Sequence, residues 1–411
     1  MRRLIINIGS LVFREKSPSK PLILEELRQI QICNHAYLLI ENGQIHSFGP
    51  MASCNFQSDE IIDAQNGWVL PAFCDSHTHI VFAKNRANEF VYRLQGLSYQ
   101  EIAEKGGGIL NSAQKVDNMS EDELFDDAQK RLLGLIQTGT GAIEIKSGYG
   151  LNTNAELKML RVIRRLKDLN WLPIKASFLG AHAMPKKFLA QRDLYLHQLI
   201  HEMLPQIADE GLADYMDVFC EKGFYTVEET DQLLEAASRY GLKPKIHCNQ
   251  FHSMGAIEVA IKHRAVSVDH LEVLNENEMA LLSHADTIAT LLPSAPFFLH
   301  DSHRPPARKM IEKGIGIALA SDYNPGTSPS GNMSFVWSLA CIQLRMLPEE
   351  AFHALTINGA FALEWADELG SISKGKKASL YITKPMESLA EIPYYFGESR
   401  IRQTIIGEKI F

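Results

Sequence analysis

Between residues 68 and 320 the chain alternates short apolar runs with longer amphipathic stretches, and this rhythm constrains the fold more than any other feature. The apolar runs cover residues 68–73, 142–145, 174–179, 216–219, 245–247, 266–268, 287–292 and 315–320, eight in all. Runs of that length between turn signals read as buried strands. Several intervening segments open like helices. Ser120-x-x-Glu123, Thr153-x-x-Glu156 and Thr226-x-x-Glu229 have the capping-box form, and Asn275-x-x-Glu278 is its Asn variant. Leu157, Leu160 and Ile163 recur at helical spacing, as do Leu233 and Ala237, and Gly241 stands where a helix C-cap belongs. Eight strands alternating with helices predict an α/β fold with a parallel (β/α)8, TIM-like barrel. An open doubly wound sheet competes on strand count, but no Gly-rich nucleotide loop follows the first strand.

The two ends follow a different pattern. Residues 4–13 form an apolar strand-like run, and residues 37–45 read as a hairpin around Asn42-Gly43. A Ser/Pro/Lys cluster at 16–21 reads as a loop. Strand-like runs return at 378–383 and 404–406. Residues 1–66 and 371–411 are therefore expected to form one small discontinuous β-sandwich domain, with 67–370 as the barrel. Met1-Arg2-Arg3 before an apolar run resembles a secretion signal, but Arg14, Glu15 and Lys16 follow it where small residues would be needed. The longest uncharged stretch, 323–344, is interrupted by Ser, Asn, Gly, Pro and Gln and does not read as a membrane span.

Composition narrows the function. The 41 Lys+Arg and 49 Asp+Glu residues give a net charge of −8, with no dense basic run, so nucleic acid is an unsuitable partner. The six cysteines (33, 54, 74, 220, 248 and 341) form no CxxC pair, which argues against a disulfide framework or zinc knuckle and fits a reducing cytoplasm.

Chemistry-bearing residues cluster at the ends of the apolar runs. In Asp75-Ser76-His77-Thr78-His79 the two histidines stand two apart, so on a strand they face the same side. His247, His270 and Asp322 close three later runs. Barrel active sites lie at the C-terminal ends of the strands. Two or three histidines plus a carboxylate, with a position left for water, is the ligand set of a catalytic zinc or iron ion. Such an ion brings the pKa of bound water toward ~7, and a neighbouring carboxylate can carry the proton.

The layout resembles the amidohydrolase superfamily of metal-dependent hydrolases. The resemblance rests on Leu70-Pro71-Ala72-Phe73-Cys74-Asp75-Ser76-His77-Thr78-His79, on Ser321-Asp322, on Thr356-Ile357-Asn358-Gly359-Ala360 and on Gly370-Ser371-Ile372-Ser373-Lys374-Gly375. Within it the chain is similar to the imidazolonepropionase family, through residues 79–86, 101–108, Lys146-Ser147-Gly148-Tyr149-Gly150, 179–183, Asp217-Val218-Phe219-Cys220-Glu221 and 321–327. That resemblance implies hydrolytic opening of 4-imidazolone-5-propanoate to N-formimidoyl-L-glutamate in histidine degradation, by a cytoplasmic homodimer. It implies zinc or iron held by His77, His79, His247 and Asp322. It further implies substrate contacts from Arg86, Tyr149, His182, Gln250 and Thr327, and product contacts from Asn324 and Gly326.

The residue types suit those roles. A guanidinium at Arg86 can grip the propanoate in a two-point fork. The expected mechanism has Asp322 take a proton from water and return it to the departing ring nitrogen, while His270 or His182 stabilises the oxyanion. The Gly106-Gly107-Gly108 run lacks the GK[ST] of a phosphate loop and reads as a mobile loop over the pocket. Three residues depart from the superfamily pattern: Ala72 replaces Gly, Ser379 replaces Asp, and Gln250 stands where related deaminases have Glu. Gln cannot transfer a proton, which weighs against a Glu-dependent deaminase. Another cyclic amidase or aminohydrolase remains the alternative. A non-catalytic relative would be expected to have lost ligands that are all present here.

Overall fold

The computed structural model describes residues 1–97, 101, 105 and 107–411. Its centre is a parallel sheet of eight strands: β1 (Phe73–Asp75), β2 (Thr140–Lys146), β3 (Ile174–Ala181), β4 (Tyr215–Cys220), β5 (Lys243–Cys248), β6 (Ser267–His270), β7 (Ile288–Leu291) and β8 (Ile317–Leu319). They pair in chain order. Just past β1 and β8 the two outer strands meet. Thr78 bridges Tyr323 in parallel. The Asp322 amide donates to the His77 carbonyl at 3.0 Å, and the His79 amide to the Tyr323 carbonyl at 2.9 Å. This contact closes the sheet into the expected barrel and excludes the open-sheet alternative. Buried Asp75 reinforces the closure, accepting from the Ser321 amide at 3.0 Å and the Ser321 hydroxyl at 2.6 Å.

The first apolar run divides between two sheets. Trp68–Pro71 pairs with Arg2–Phe13 and Ser379–Thr383, and only Phe73–Asp75 enters the barrel. The handover falls at Ala72, whose amide donates to the Ser379 carbonyl, while the next amide, that of Phe73, donates to Gly139. Two short strands in different sheets look like one run in the sequence because both are buried. Ala72 is not among the residues in the left-handed region, so the missing glycine costs nothing there.

The second sheet comes from both chain ends. Its order is Lys409–Ile410, Ile401–Ile406, Ser379–Thr383, Trp68–Pro71, Arg2–Phe13, Gln31–Glu41 and Gln44–Pro50, with Glu60–Asp63 also paired to Arg2–Phe13. The sheet curls until Gln44 bridges Lys377, beside Ser379–Thr383. Alternation of side chains gives it two apolar faces. Val69, Leu380 and Ile382 join Ile5, Ile8 and Leu38 in an inner core, while Trp68, Leu70 and Tyr381 pack with the barrel. The expected hairpin forms at Asn42 and Gly43, both at positive φ (50° and 75°), the conformation a two-residue hairpin turn demands.

Three of the four helix-start motifs cap as expected: Ser120, Thr226 and Asn275 each accept from the amide three residues on, with the glutamate reaching back. The fourth is different. Asn152, not Thr153, caps the helix Thr153–Asp168, accepting from the Ala155 amide at 3.0 Å. Glu156 is thereby released for another task, described below. Gly241 takes φ +75° just beyond the helix Val227–Ser238, as a C-terminal cap requires. Of the Gly106–Gly108 run, Gly106 lies outside the described residues, as does most of 98–106, so the loop reading is not addressed there; Gly107 caps the helix Gly108–Asn118. Among the described residues no helix is long and apolar enough to cross a membrane.

Candidate metal centre and substrate cavity

His77 and His79 follow β1, His247 lies in β5, His270 ends β6 and Asp322 follows β8, so all five project at the C-terminal rim. His77, His79 and His247 bring one ring nitrogen each within 4.8 Å of the others, and all three are buried. The Nε2 atoms of His77 and His79 are 3.3 Å apart. Asp322 Oδ1 is 3.6 Å from His77 Nε2 and 3.5 Å from His79 Nε2. Ligand atoms about 2.0–2.1 Å from a tetrahedral ion lie about 3.3–3.4 Å from one another. The donors therefore already stand near the edge lengths of a coordination shell. His247 Nε2 is buried with no hydrogen-bond partner among the described residues, a polar atom that a cation would satisfy. The donor set fits a divalent ion.

Two of the three rings are held from behind. Asp269 Oδ2 lies 2.6 Å from His77 Nδ1, and Asp217 Oδ1 lies 3.0 Å from His247 Nδ1. A carboxylate at Nδ1 fixes that nitrogen as the donor and leaves Nε2 as the lone pair facing the centre. Asp217, Asp269, Glu144, Lys146 and Lys245 form a fully buried charged group beneath the ligands. None of the five was given a role from the sequence, although Lys146 and Asp217 open two of the segments that carry the family resemblance. The signal for them was there: charged residues inside runs that are otherwise apolar.

Electrostatics favour neutral His77 and His247 rings beside an ionised Asp322. Burial, then the Lys146 charge and the neighbouring rings, holds His77 well below the usual histidine range. Burial lowers His247 too, against the pull of Asp217. Burial opposes ionisation of Asp322, but a hydrogen bond to His79 and the charges of His270 and His79 outweigh it and hold its carboxyl below the usual range. His270 is shifted the other way: burial disfavours its charge, yet Glu272, 3.4 Å from its Nδ1, raises it. The rim includes backbone in the left-handed region. Asp322 sits at φ 53°, Asn249 at 55° and His270 at 91°, conformations that cost non-glycine residues roughly 1–3 kcal/mol each and that tend to mark functional sites.

The centre opens into a cavity of about 520 Å³. His79, His182, His247, His270 and Asp322 line it, as do Arg86, Tyr149, Gln250, Asn324, Gly326 and Thr327, so it gathers every site residue expected from the sequence except His77; aromatic and acidic side chains such as Phe219, Phe224 and Glu89 complete the wall. His77 is wholly buried behind the others. Arg86 Nε donates to Ser112 Oγ at 2.9 Å, whereas its Nη2 is buried with no partner among the described residues. His182 Nδ1 lies 3.1 Å from the Gly148 carbonyl, which fixes Nδ1 as the donor, and its ring stacks on His79. Burial and the neighbouring histidines hold His182 well below the usual range, so it is neutral.

Two turns carry the remaining residues. Glu156, buried at the start of its helix, accepts from the amides of Gly148 (3.0 Å), Gly150 (2.7 Å) and Leu151 (2.9 Å), and so builds the turn that presents Tyr149. Asn324 lines the cavity, but its side chain is engaged within its own turn. Its Oδ1 accepts from the Gly326 and Thr327 amides, and its Nδ2 donates to the Asp322 carbonyl and to Thr327 Oγ1. The Thr327 hydroxyl also donates to Asp322 Oδ2 at 3.3 Å.

Comparison with known proteins agrees with this geometry. The amidohydrolase family profile matches residues 68–410. Curated relatives named imidazolonepropionase include those of Christiangramia forsetii and Flavobacterium johnsoniae, each 47% identical over the full length of both chains. That of Thermoanaerobacter pseudethanolicus is 38% identical over 93% of this chain and 92% of its own. Among solved structures, a triazine hydrolase variant superposes with a TM-score of 0.76 at 14% identity, covering 100% of this chain and 94% of that one. The guanine deaminase of E. coli does so with 0.75 at 14% identity, covering 100% and 99%. At that identity these two report a shared fold.

Proposed function

This chain belongs to the amidohydrolase family of metal-dependent hydrolases, and from that premise we infer that it acts as an imidazolonepropionase, opening the ring of 4-imidazolone-5-propanoate to N-formimidoyl-L-glutamate in histidine degradation. One observation carries the site assignment: three histidine donors within 4.8 Å of one another, with Asp322 3.5–3.6 Å from two of them, stand on the wall of a cavity that also presents the Arg86 guanidinium, whose Nη2 has no hydrogen-bond partner among the described residues.

His77, His79, His247 and Asp322 would hold zinc or iron, and either ion, when bound, acidifies a water molecule and polarises a carbonyl. Arg86 binds the propanoate carboxylate through its free edge, which orients the ring toward Asp322. Tyr149 and Thr327 contact the bound ring from the two turns, and Gln250 hydrogen-bonds it without moving a proton. Asp322, ionised, takes a proton from the attacking water. The water oxygen bonds to the ring carbonyl carbon, the carbon–nitrogen bond breaks, and Asp322 passes its proton to the departing nitrogen. His270, held toward its charged form by Glu272, donates to the developing oxyanion, with neutral His182 beside it. Asn324 and Gly326 hold the turn against which the product lies. We further infer that residues 1–66 and 371–411 act as one supporting domain for the 67–370 barrel, that the enzyme works as a homodimer in the cytoplasm, and that its small-molecule partner is 4-imidazolone-5-propanoate.

The test is incubation of zinc- or iron-loaded protein with 4-imidazolone-5-propanoate, following loss of the ring chromophore and release of N-formimidoyl-L-glutamate. Turnover is expected. Absence of turnover with either metal, alongside ammonia release from aminated heterocycles, would replace this reading with a deaminase.

A further inference from the structure

The charged group beneath the histidines has a specific wiring. Lys146, at the end of β2, places its Nζ 2.6 Å from Asp217 Oδ2 and 3.6 Å from Asp269 Oδ2. Asp217 is the partner of His247, and Asp269 is the partner of His77. One ammonium therefore faces both carboxylates that orient ligand rings, and those rings come from opposite sides of the barrel, β1 and β5. Lys245 is the second buried ammonium. It pairs with Glu144 and donates to the Ser76 carbonyl at 3.3 Å, and no hydrogen bond or ion pair links it to Asp217 or Asp269. Glu144 contacts both lysines and accepts from Ser177 Oγ at 2.5 Å. Among the described residues His79 has no carboxylate behind it: its Nδ1 is buried without a hydrogen-bond partner there.

We propose that Lys146 is a positioning residue for the metal centre, a single cation that clamps Asp217 and Asp269 and through them fixes the orientation of His247 and His77. This inference rests on the proposed metal site. A buried cation that tied the strands together for stability alone would not need to meet both ligand-orienting carboxylates. Lys245 is the internal comparison: equally buried and also paired with Glu144, it acts on Asp269 only through its charge and touches neither ligand-orienting carboxylate. Three carboxylates and two ammonium groups sum to −1 in this layer, so removing Lys146 leaves −2. Removing Lys146 and Glu144 together restores −1 while abolishing the clamp.

The experiment compares the wild-type protein with Lys146→Met, Lys245→Met and the charge-balanced Lys146→Met/Glu144→Gln double variant. Zn²⁺ affinity is measured by chelator competition, and the visible spectrum of the Co²⁺-substituted protein reports ligand geometry. Loss of a group that orients metal ligands lowers affinity by about 10–100-fold. Lys146→Met and the double variant are expected to show that loss with an altered Co²⁺ spectrum, whereas Lys245→Met keeps the wild-type spectrum and an affinity within about threefold. The double variant keeps the test decisive if Lys146→Met alone does not fold. Wild-type affinity and spectrum in the folded double variant, or an equal loss in Lys245→Met, would overturn the clamp. Failure of the wild-type protein to bind Zn²⁺ at all would instead overturn the metal site on which it rests.

Discussion

Replacing Glu156 by Gln tests whether the Tyr149 turn is built by a buried carboxylate. Three backbone amides, those of Gly148, Gly150 and Leu151, share its two oxygens. A Gln retains one acceptor oxygen and places an NH2 where the other stood. With the oxygen left on Gly150 and Leu151, the Gly148 amide faces a donor and stays unsatisfied, costing about 1–3 kcal/mol. The two surviving bonds lose their charge assistance, a further ~1 kcal/mol or so each. Against this, burial already pushes the Glu156 carboxyl above its usual range despite the bonds from Ser147, Leu151 and Gly150, and a neutral amide is relieved of that penalty. The balance is a loss of roughly 2–4 kcal/mol. Because the Gly148 carbonyl also fixes His182, the displaced turn should lower kcat/KM on 4-imidazolone-5-propanoate by about 10–100-fold. Urea unfolding and steady-state kinetics measure the two effects. Stability within about 0.5 kcal/mol of wild type, the scatter of an ordinary surface substitution, with kcat/KM unchanged within about twofold, would refute this role for Glu156.

Four further outcomes follow from the same geometry. Arg86→Met should raise KM for the propanoate substrate by about 10–150-fold, equivalent to ~1.5–3 kcal/mol for a charged hydrogen-bonded contact, with less effect on kcat; an unchanged KM would place the carboxylate elsewhere. His270→Ala should depress turnover far more than metal content, read by assay and elemental analysis, and equal losses would move His270 into the ligand set. Removal of metal with a chelator should lower the unfolding temperature and abolish ring opening, with both restored by Zn²⁺ or Fe²⁺. Buried His353 has its pKa pushed down to about 4 by burial, and its Nε2 donates to the Gln29 carbonyl at 3.0 Å. Its folded value lies below the unfolded ~6.5, so its stabilising effect is complete above pH 6.5 and is lost as pH falls from there through about 4. The unfolding free energy of wild type, from urea titration, should therefore fall by about 3 kcal/mol more than that of His353→Gln between pH 7 and 4.

The barrel was readable because its strands are short, apolar and separated by helices with explicit start signals, so local pattern and global fold agree. The pattern blurred at two places, each for a physical reason. Trp68–Pro71 and Phe73–Asp75 read as one run because burial on both faces removes the alternation that separates sheets. Thr153-x-x-Glu156 has the capping-box form, but Asn152 offers a cap one residue earlier, and the glutamate it frees is taken by three amides of a functional turn. A motif records which hydrogen bonds a residue can make, and tertiary structure decides which it does make.

The rim of the site was readable for a related reason: histidines and an aspartate at strand ends are out of place in a purely structural barrel. The layer beneath was not, although it is more unusual. Five charged side chains in the interior, each fully removed from water, carry a large desolvation cost, and an apolar layer of the same volume is commonly as stable or more so. Residue type and burial alone do not explain that layer. Its geometry does: Asp217 and Asp269 each turn one oxygen to a histidine Nδ1, Lys146 lies against Asp217 Oδ2 and, at 3.6 Å, against the Asp269 oxygen that faces His77, and Ser267 donates to the other Asp269 oxygen. Periodicity places such residues inward but is blind to pairing between strands far apart in sequence, such as β2 with β4 and β6. The charged layer is thus where a reading of local pattern stops, and where the orientation of His77 and His247 is decided.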